Sequence, residues 1–374
     1  MKTFKAGRYI NQGYYKSFQP NLLNKQFLLE DMQIIQLLSQ AERELGRLDM
    51  YSEYIPNLDL FIQMHVAKEA TQSSKIEGTQ TNMDEILLDK DQVPLDKRND
   101  WDEVKNYMEA MNYGINRLKD LPFSSRLIKE THEILLQGVR GEHKQPGDFR
   151  KSQNWIGGAS ISDAVFVPPV HTSVPELMGD IEKFAHDESN LLPELLKIAL
   201  IHYQFETIHP FLDGNGRVGR LFITLYLVSK RILKAPILYL SDFFEKNRML
   251  YYDNLMRVRE KDDLNRWFKF FLIGIIETAK NGINTFDNIL QLQKACDEKI
   301  RTLRSRTANA QTVMNSLYIR PVTDPSHIGS LTGLSNASAY KLTADLERLN
   351  ILKEVTGGRR RKFYVFESYI SLFR

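Results

Sequence analysis

Apolar residues recur at helical spacing along most of this chain. Residues 28–47 and 60–74 carry the spacing near the N-terminus, and residues 195–208 carry it in the middle of the sequence. Residues 221–232 are almost continuously apolar helix formers. Such patterns are typical of helices that are buried on one face or on all sides. We therefore expect a mainly α fold, in which residues 209–220 form a loop between two buried helices.

Two short β-like runs interrupt the helical pattern. They cover residues 154–157 and 164–167, with Gly158 at the start of the segment between them. Runs of this length around a glycine-containing turn are typical of a β-hairpin. We expect a small hairpin from Asn154 to Val167.

The C-terminal residues 305–374 differ in kind from the rest. Residues 312–318, 326–333 and 335–349 have the pattern of three short helices, and residues 351–355 and 363–366 have that of two strands. A basic glycine turn, residues 357–362, joins the strands. This order resembles a winged helix, so we expect a small α+β domain here.

Composition and charge narrow the classes of protein. The 374 residues carry a net charge of +3, which is too small to indicate a surface that binds nucleic acid or membrane throughout. The single cysteine, Cys296, permits no intramolecular disulfide and fits a reducing compartment. No signal peptide or run of about 18 apolar residues is evident. We expect a cytoplasmic protein without membrane association.

The stretch from His209 to Arg220 reads HPFLDGNGRVGR and has the equipment of a phosphate-binding site. Gly214, Asn215 and Gly216 tolerate positive or irregular φ, so their N–H groups can converge on an anion. The helix that follows adds the unpaired N–H groups and the dipole of its N-terminus.

The charged residues of the same stretch favour transfer chemistry. Arg217 and Arg220 are three residues apart, so both can reach phosphate oxygens from one side of the first helical turn. Asp213 is a hard oxygen ligand that suits Mg²⁺. His209, with an ordinary pKa of about 6.5, can be neutral and accept a proton. These residues predict transfer of a nucleotidyl or phosphoryl group to a hydroxyl.

HPFLDGNGRVGR resembles the complete signature of the Fic family, HPFx(D/E)GN(G/K)RxxR. The resemblance implies a Fic-type helical core that transfers AMP from ATP to Ser, Thr or Tyr hydroxyls of a target protein, releasing pyrophosphate. It implies that His209 is the general base and that Asp213 binds Mg²⁺ or Mn²⁺. It also implies that Arg217 and Arg220 hold the β- and γ-phosphates. The nucleotide-binding set would comprise Gly214, Asn215, Gly216, Arg217, Val218, Gly219, Arg220, Tyr251, Tyr252 and, as a competitor of the phosphate, Glu77.

The segment SSKIEG, residues 73–78, resembles the inhibitory motif (S/T)xxxE(G/N) of the same family. Its fixed positions are Ser73, Glu77 and Gly78. A charge-assisted pair between Glu77 and Arg220 would occupy the arginine that should receive the γ-phosphate. The alternative is that Glu77 is an ordinary solvated helix residue.

Two further segments follow the family pattern. The hairpin from Asn154 to Val167 resembles the flap, which docks the target protein by backbone pairing; its alternative is a hairpin that only covers the core. Residues 146–150 match a recurring run ahead of the flap, which we interpret as architectural. Tyr251 is the first candidate for an adenine contact and Tyr252 the second, with core packing as the alternative for at least one of them.

These expectations divide the chain into three regions. Residues 1–115 are the helical region with the inhibitory motif, residues 116–295 the catalytic core, and residues 305–374 the winged helix. The main hypothesis is a self-inhibited protein adenylyltransferase that uses ATP. One alternative is a DNA-binding regulator whose Fic module senses nucleotide or modifies the protein itself, and another is a scaffold. Direct DNA binding is disfavoured, because residues 335–349 hold two basic and two acidic side chains. Homodimer formation is left open.

Overall fold

A computed structural model describes residues 4–54, 58–355 and 362–374 of the chain. In these ranges the chain is mainly helical, as the apolar spacing predicts. None of the described helices combines the length and the apolar character that crossing a bilayer demands. The helices are α1 (Met32–Tyr54), α2 (Asp59–Ile76), α3 (Met83–Ile86), α4 (Arg98–Arg117), α5 (Ser125–Leu135), α6 (Val174–His186), α7 (Glu194–Ile208), α8 (Asn215–Ser229), α9 (Ser241–Lys246), α10 (Arg248–Lys261), α11 (Leu264–Arg301), α12 (Thr307–Ile319), α13 (Pro325–Thr332), α14 (Asn336–Arg348) and α15 (Glu367–Ile370).

Two small antiparallel sheets accompany the described helices. The first is an N-terminal hairpin of β1 (Gly7–Asn11) and β2 (Lys16–Pro20), which the sequence analysis did not predict. The second consists of β3 (Val322–Thr323), β4 (Lys353–Glu354) and β5 (Tyr364–Val365), in the order β3-β5-β4. It joins the C-terminal helices into one unit. Residues 357–361 of the predicted basic turn lie outside the described residues.

Local capping sets the first helix boundary. α1 begins at Met32, later than the predicted residue 28, because the Asp31 carboxylate accepts the N–H groups of Gln33 at 2.9 Å and Ile34 at 3.3 Å.

Continuous helices run across the region boundaries that we drew. α4 passes residue 115 and ends at Arg117, and α11 passes residue 295 and ends at Arg301. The three regions are therefore not separated by linkers at these points.

The core is built around α7. Every residue of α7 from Leu195 to Ile208 is buried, and the helix packs against α6, α8 and α11. The indole N–H of Trp267 on α11 donates to the carbonyl of Ala199 at 2.8 Å, which satisfies a polar group inside this core. Because α7 is enclosed on all sides, the residue that ends it is held in a fixed position.

The C-terminal elements pack directly on α2. Phe61 of α2 contacts the ring of Tyr318 with centroids 5.3 Å apart, and Tyr369 with centroids 6.4 Å apart. His65, one turn further along α2, contacts Phe373 at 5.0 Å. The helix that carries the inhibitory motif is thus part of a shared aromatic cluster with the end of the chain.

The predicted hairpin of residues 154–167 has less strand pairing than expected. Ile156 and Phe166 exchange two backbone hydrogen bonds, of 2.8 and 3.1 Å, and no other residue pair of this segment forms a β-bridge. Between them a short 3-10 turn, Ile161–Asp163, is capped by the carboxylate of Asp163. The chain widens into a loop there because Gly157 and Gly158 both adopt positive φ, 68° and 76°.

We expect Tyr369→Ala to destabilise the protein by about 3–5 kcal/mol, the usual cost of deleting a buried aromatic ring. Tyr369 is fully buried among Phe61, Tyr318, Phe366 and Phe373. Urea unfolding of the purified variants measures the effect. Tyr340→Ala is the matched control, because that tyrosine is 58% exposed in the same part of the chain. Equal effects of the two substitutions would contradict the packing described.

Candidate functional site

The loop between α7 and α8 turns on two residues with left-handed backbone. His209 ends α7 with φ 49° and ψ 62°, and Gly214 precedes α8 with φ 75°. Glycine adopts this region at little cost, whereas a histidine there is uncommon. The strained position of His209 is maintained because α7 is buried up to Ile208 and the loop is tied down on its far side.

Three polar side chains tie the loop down. Arg150 donates from Nε to the carbonyl of His209 at 3.0 Å, and the amide of Asn154 donates to the carbonyls of His209 at 3.2 Å and Phe211 at 2.9 Å. Asn215 accepts the Phe211 N–H at 2.8 Å and donates to its carbonyl at 2.9 Å. Asn215 is therefore buried inside the loop. Sequence reasoning did not identify Arg150 and Asn154 as the residues that position His209.

His209 is neutral in this environment. Burial, together with the guanidinium groups of Arg150 and Arg259, lowers the pKa of His209 to about 3. Its buried Nδ1 has no hydrogen-bond partner within the described residues. The ring thus carries an available lone pair on one of its nitrogens.

Arg220 is enclosed by Ser73 and Glu77, two residues of the predicted inhibitory motif. Its Nε donates to Ser73 Oγ at 2.9 Å, and its Nη2 donates to the Ser73 carbonyl at 2.9 Å and to Glu77 Oε1 at 2.7 Å. The Arg220 side chain is 1% exposed and that of Glu77 is 34% exposed. Burial opposes ionisation of Glu77, but the charge and the hydrogen bond of Arg220 outweigh it and lower the pKa of Glu77. The resting state therefore contains an ionised pair.

Glycines allow this pair to form. A Cβ at Gly216 would lie 2.2 Å from Glu77 Oε1, so the carboxylate sits directly on the first turn of α8. Gly78 has φ 102°, which ends α2 and turns the chain away immediately after Glu77. Ser73 and Glu77 are one helical turn apart and face the same guanidinium. The carboxylate lies where an anion at the N-terminus of α8 would lie.

The two motif arginines do not converge in this state. Arg217 Nη1 pairs with Glu103 Oε2 of α4 at 3.0 Å, and both side chains are buried. Arg140 also approaches Glu103, at 3.2 Å. Their joint contact with a phosphate stays a prediction, because in this structure the two guanidinium groups have different partners. The reason is that a buried arginine needs a partner, and α4 supplies a carboxylate that lies far from Arg217 in the sequence.

Asp213 is the most accessible acidic group of the loop, with 37% of its side chain exposed. Its Oδ1 accepts the N–H of Gly214 at 2.6 Å, and its carbonyl accepts from His132 Nε2 at 3.0 Å. No three His, Cys, Asp or Glu side chains form a metal-binding group within ranges 4–54, 58–355 and 362–374. A single accessible carboxylate fits an ion such as Mg²⁺, which takes one or two protein carboxylates and completes its shell with phosphates and water.

A cavity of about 430 Å³ opens beside His209, a size that suits a nucleotide. It is lined by Glu77 of the loop after α2, by Gly216 and Arg220 of α8, by residues 156, 157, 165 and 166, and by residues of α10. The motif residues Val218 and Gly219 do not line it. Val218 is buried in the core, and Gly219 packs against Phe205 and Glu206.

The two tyrosines on α10 differ in their exposure. Tyr251 is 1% exposed, stacks on Phe244 at 4.6 Å and pairs its hydroxyl with His202 Nε2 at 2.8 Å. His202 Nδ1 donates to the carbonyl of Gly219 at 2.9 Å, so His202 is a packed histidine. Tyr252 is 40% exposed, and both tyrosines line the cavity. An adenine contact by either ring stays a prediction.

Three charged residues that line the cavity, Glu206, Arg248 and Arg259, have no counterpart among the predicted site residues. Glu206 lies on α7 one turn before His209, and Arg259 lies on α10 opposite it. Arg259 Nη2 donates to the carbonyl of Glu206 at 3.1 Å, and its guanidinium lies 3.9 Å from the ring centre of Phe166. One sequence signal could have identified Glu206: it is a charged residue at a position of α7 that its apolar neighbours predict to be buried.

Family models and named proteins of other organisms are similar to this chain. A family model described as Fic/DOC family N-terminal matches residues 35–116, and one described as Fic/DOC family matches residues 122–227. A probable protein adenylyltransferase of Aquifex aeolicus is 25% identical over 305 residues, which is 79% of this chain and 85% of that protein. The protein adenylyltransferase Fic of Drosophila grimshawi is 29% identical over 163 residues, but the match spans 43% of this chain and 30% of the fly protein.

Solved structures share the fold. A Fic family protein from Desulfovibrio desulfuricans has a TM-score of 0.59 with 18% identity, covering 91% of this chain and 98% of that one. A Fic domain containing signaling protein from Bacteroides thetaiotaomicron has a TM-score of 0.52 with 19% identity, covering 68% of this chain and 96% of that one.

The buried side chain of His202 is expected to make the free energy of unfolding depend on pH. Burial lowers the pKa of His202 to about 3, whereas an unfolded histidine titrates near 6.5. Below pH 6.5 the unfolded chain binds a proton that the folded chain excludes, so stability falls as the pH falls from about 6.5 toward 3. We expect His202→Gln to reduce the slope of unfolding free energy against pH by up to about 1.4 kcal/mol per pH unit.

Urea unfolding at a series of pH values between 6 and 4 measures that slope. The matched control is His143→Gln, because the His143 side chain is exposed in the folded protein. Identical slopes for the wild type and the His202 variant would show that His202 takes up its proton without unfolding.

Proposed function

Because this chain belongs to the Fic/DOC family, we propose that it is a protein adenylyltransferase held inactive by Glu77. It transfers AMP from ATP to a Ser, Thr or Tyr hydroxyl of a target protein. The observation that carries the proposal is the juxtaposition of a neutral His209 with Arg220 and Glu77 around one cavity, where Ser73 and Glu77 bind the guanidinium. The names of the relatives from Aquifex aeolicus and Drosophila grimshawi support the same reaction.

In the proposed reaction His209 receives the proton of the target hydroxyl. The hydroxyl oxygen forms a bond to the α-phosphorus of ATP, the bond from that phosphorus to the bridging oxygen breaks, and pyrophosphate leaves. The pKa of His209, about 3 in this state, is low for a base. The negative charge of a bound triphosphate would raise it toward the working pH, because nearby anions favour the protonated ring.

Asp213 would hold a Mg²⁺ or Mn²⁺ ion together with the phosphates. When bound, such an ion offsets negative charge on the phosphate oxygens. The chain's own contribution here is to keep the Asp213 carboxylate in place. The hydrogen bonds of the Gly214 N–H and of His132 to Asp213 do this.

Arg220 is the residue on which inhibition depends. Its guanidinium can bind either Glu77 or a γ-phosphate, and Glu77 holds it in the resting state. Arg217 is held by Glu103, which Arg140 also approaches, whereas Arg220 lines the cavity. We therefore assign the γ-phosphate to Arg220 and a supporting, electropositive role to Arg217.

Target binding is assigned to the segment 154–167, in which Trp155 is 42% exposed and Val165 is 66% exposed beside the cavity. We propose that a target segment pairs with this backbone as an added strand, in the manner of a flap. Modification of a second copy, or of the chain itself, is one form of the same reaction.

Residues 305–374 are proposed to form a winged-helix domain that docks proteins. The order α12, β3, α13, α14, β4, β5 supports the assignment. Asp345 on α14 pairs with Arg306 and Arg348, so much of the positive charge near this helix is neutralised. A DNA-binding helix relies on free basic groups for phosphate contacts, so protein docking is favoured.

We expect His209→Ala to reduce AMP transfer by at least about a hundredfold while leaving ATP binding nearly unchanged. The reason is that the base acts on the target hydroxyl and not on the nucleotide. Transfer of label from α-labelled ATP to protein, with calorimetry for binding, separates the two effects. Transfer at the wild-type rate would rule out His209 as the base.

We expect Glu77→Gly to raise AMP transfer by more than tenfold. A tenfold change requires only about 1.4 kcal/mol, and a charge-assisted pair can supply that amount. Arg220→Ala should break the same pair and yet fail to activate, and the double variant should be as inactive as Arg220→Ala alone. Incubation with labelled ATP and cell lysate, followed by mass analysis, measures all three.

Glu245→Ala provides the matched control for this series. Lys75 of α2 pairs with Glu245 at 3.0 Å, so the variant removes an ion pair from the same end of the helix without touching Arg220. No activation is expected. Equal activation by Glu245→Ala and Glu77→Gly would mean that inhibition depends on the general stability of α2, and not on competition for Arg220.

A further inference from the structure

Glu206 lines the cavity and carries a buried acceptor without a partner. The residue is 7% exposed and lies on α7 one turn before His209. Its Oε1 is buried and has no hydrogen-bond partner in the part of the chain that the structure describes. The same side chain lines the cavity that we assign to the nucleotide.

The charged groups around Glu206 already have other partners. Arg220 is bound by Ser73 and Glu77, and Arg259 donates to Thr207 Oγ1 at 3.1 Å and to the backbone carbonyl of Glu206 itself at 3.1 Å. Neither guanidinium forms an ion pair with the Glu206 carboxyl among the described salt bridges. Burial raises the pKa of this carboxyl to about 7.

The motif leaves room for this carboxyl. A Cβ at Gly219 would lie 2.4 Å from Glu206 Oε1, so any larger residue at that position would displace the glutamate. A buried polar atom without a partner costs roughly 1–3 kcal/mol, and such atoms are uncommon in folded proteins. An acceptor that is held at a cavity wall at this cost is suited to a donor on the ligand.

We propose that Glu206 is a specificity-determining residue that accepts a hydrogen bond from the nucleoside half of the bound nucleotide. The donor is an N–H of the base amine or an O–H of the ribose. The inference rests on the proposed function, because it takes ATP as the occupant. Triphosphate oxygens are acceptors and are negatively charged, so they belong with the donors of Arg220 and the N-terminus of α8, and not against the acceptor of Glu206.

The test compares the binding affinities of different nucleotides and does not measure reaction rates. The full chain carrying Glu77→Gly, which frees Arg220, is titrated by calorimetry with ATP and with analogues that each lack one donor. The analogues are purine riboside triphosphate, which lacks the amine, and the 2′-deoxy and 3′-deoxy forms of ATP. The same titrations are repeated after adding Glu206→Leu, which has similar size but no acceptor.

We expect Glu206→Leu to weaken ATP binding by about tenfold and to leave unchanged the binding of the one analogue that lacks the recognised donor. That analogue identifies the source, amine or ribose, as in a double-mutant cycle. Glu206→Gln keeps the shape and one acceptor oxygen, so it should show a smaller loss confined to the same nucleotides. This variant provides the comparison if the leucine variant does not fold.

Two controls separate the outcomes. Inorganic pyrophosphate should bind equally well with and without Glu206→Leu, and Glu194→Gln, at the far end of α7, should change nothing. Equal losses for every nucleotide and for pyrophosphate, or no loss for any, would overturn the role of Glu206 alone. Failure of the Glu77→Gly protein to bind ATP at all would overturn the proposed function together with this inference.

Discussion

A buried positive charge at Arg220 is the constraint on which the site depends. A guanidinium group that is almost fully enclosed is costly unless its hydrogen bonds are satisfied and its charge is balanced. Here α2 supplies both, through the hydroxyl and carbonyl of Ser73 and the carboxylate of Glu77. In the proposed function, a triphosphate would replace only the carboxylate, so the charge proposed to attract the nucleotide also holds Glu77 in place.

The second requirement is a rigid support for His209. A histidine with left-handed backbone persists only where its surroundings hold it, and Arg150 and Asn154 do so by binding the loop carbonyls. The segment that follows Asn154 also covers the cavity. The residue that holds the proposed base is therefore continuous with the proposed target-docking strand, and a disturbance of one is felt by the other.

Features formed by residues close together in the sequence could be predicted from it, whereas contacts between residues far apart in the sequence could not. The α7–loop–α8 unit follows from apolar spacing and from glycines, and the order of the C-terminal elements follows from their turns. The Arg217–Glu103 pair joins residues more than a hundred positions apart, so only the folded chain reveals it. Tyr251 is buried against His202 and Phe244. The N-terminal hairpin packs on Phe166 through Phe18. Neither contact is encoded in a local sequence pattern. The inhibitory pair was predictable only because a family resemblance linked two remote motifs.

The aromatic cluster between α2 and the end of the chain sets how much of the structure can open at once. Segments that share buried rings lose their amide protection together, and each ring buries about 150–250 Å². α2 is held by Tyr318 and Phe373 near its start and by Arg220 near its end. We expect its amides to exchange with solvent in step with those of α12. If the whole of α2 moved away, most of the structure would open with it. A rearrangement of only the last turn before Gly78 would break fewer contacts and would still separate Glu77 from Arg220.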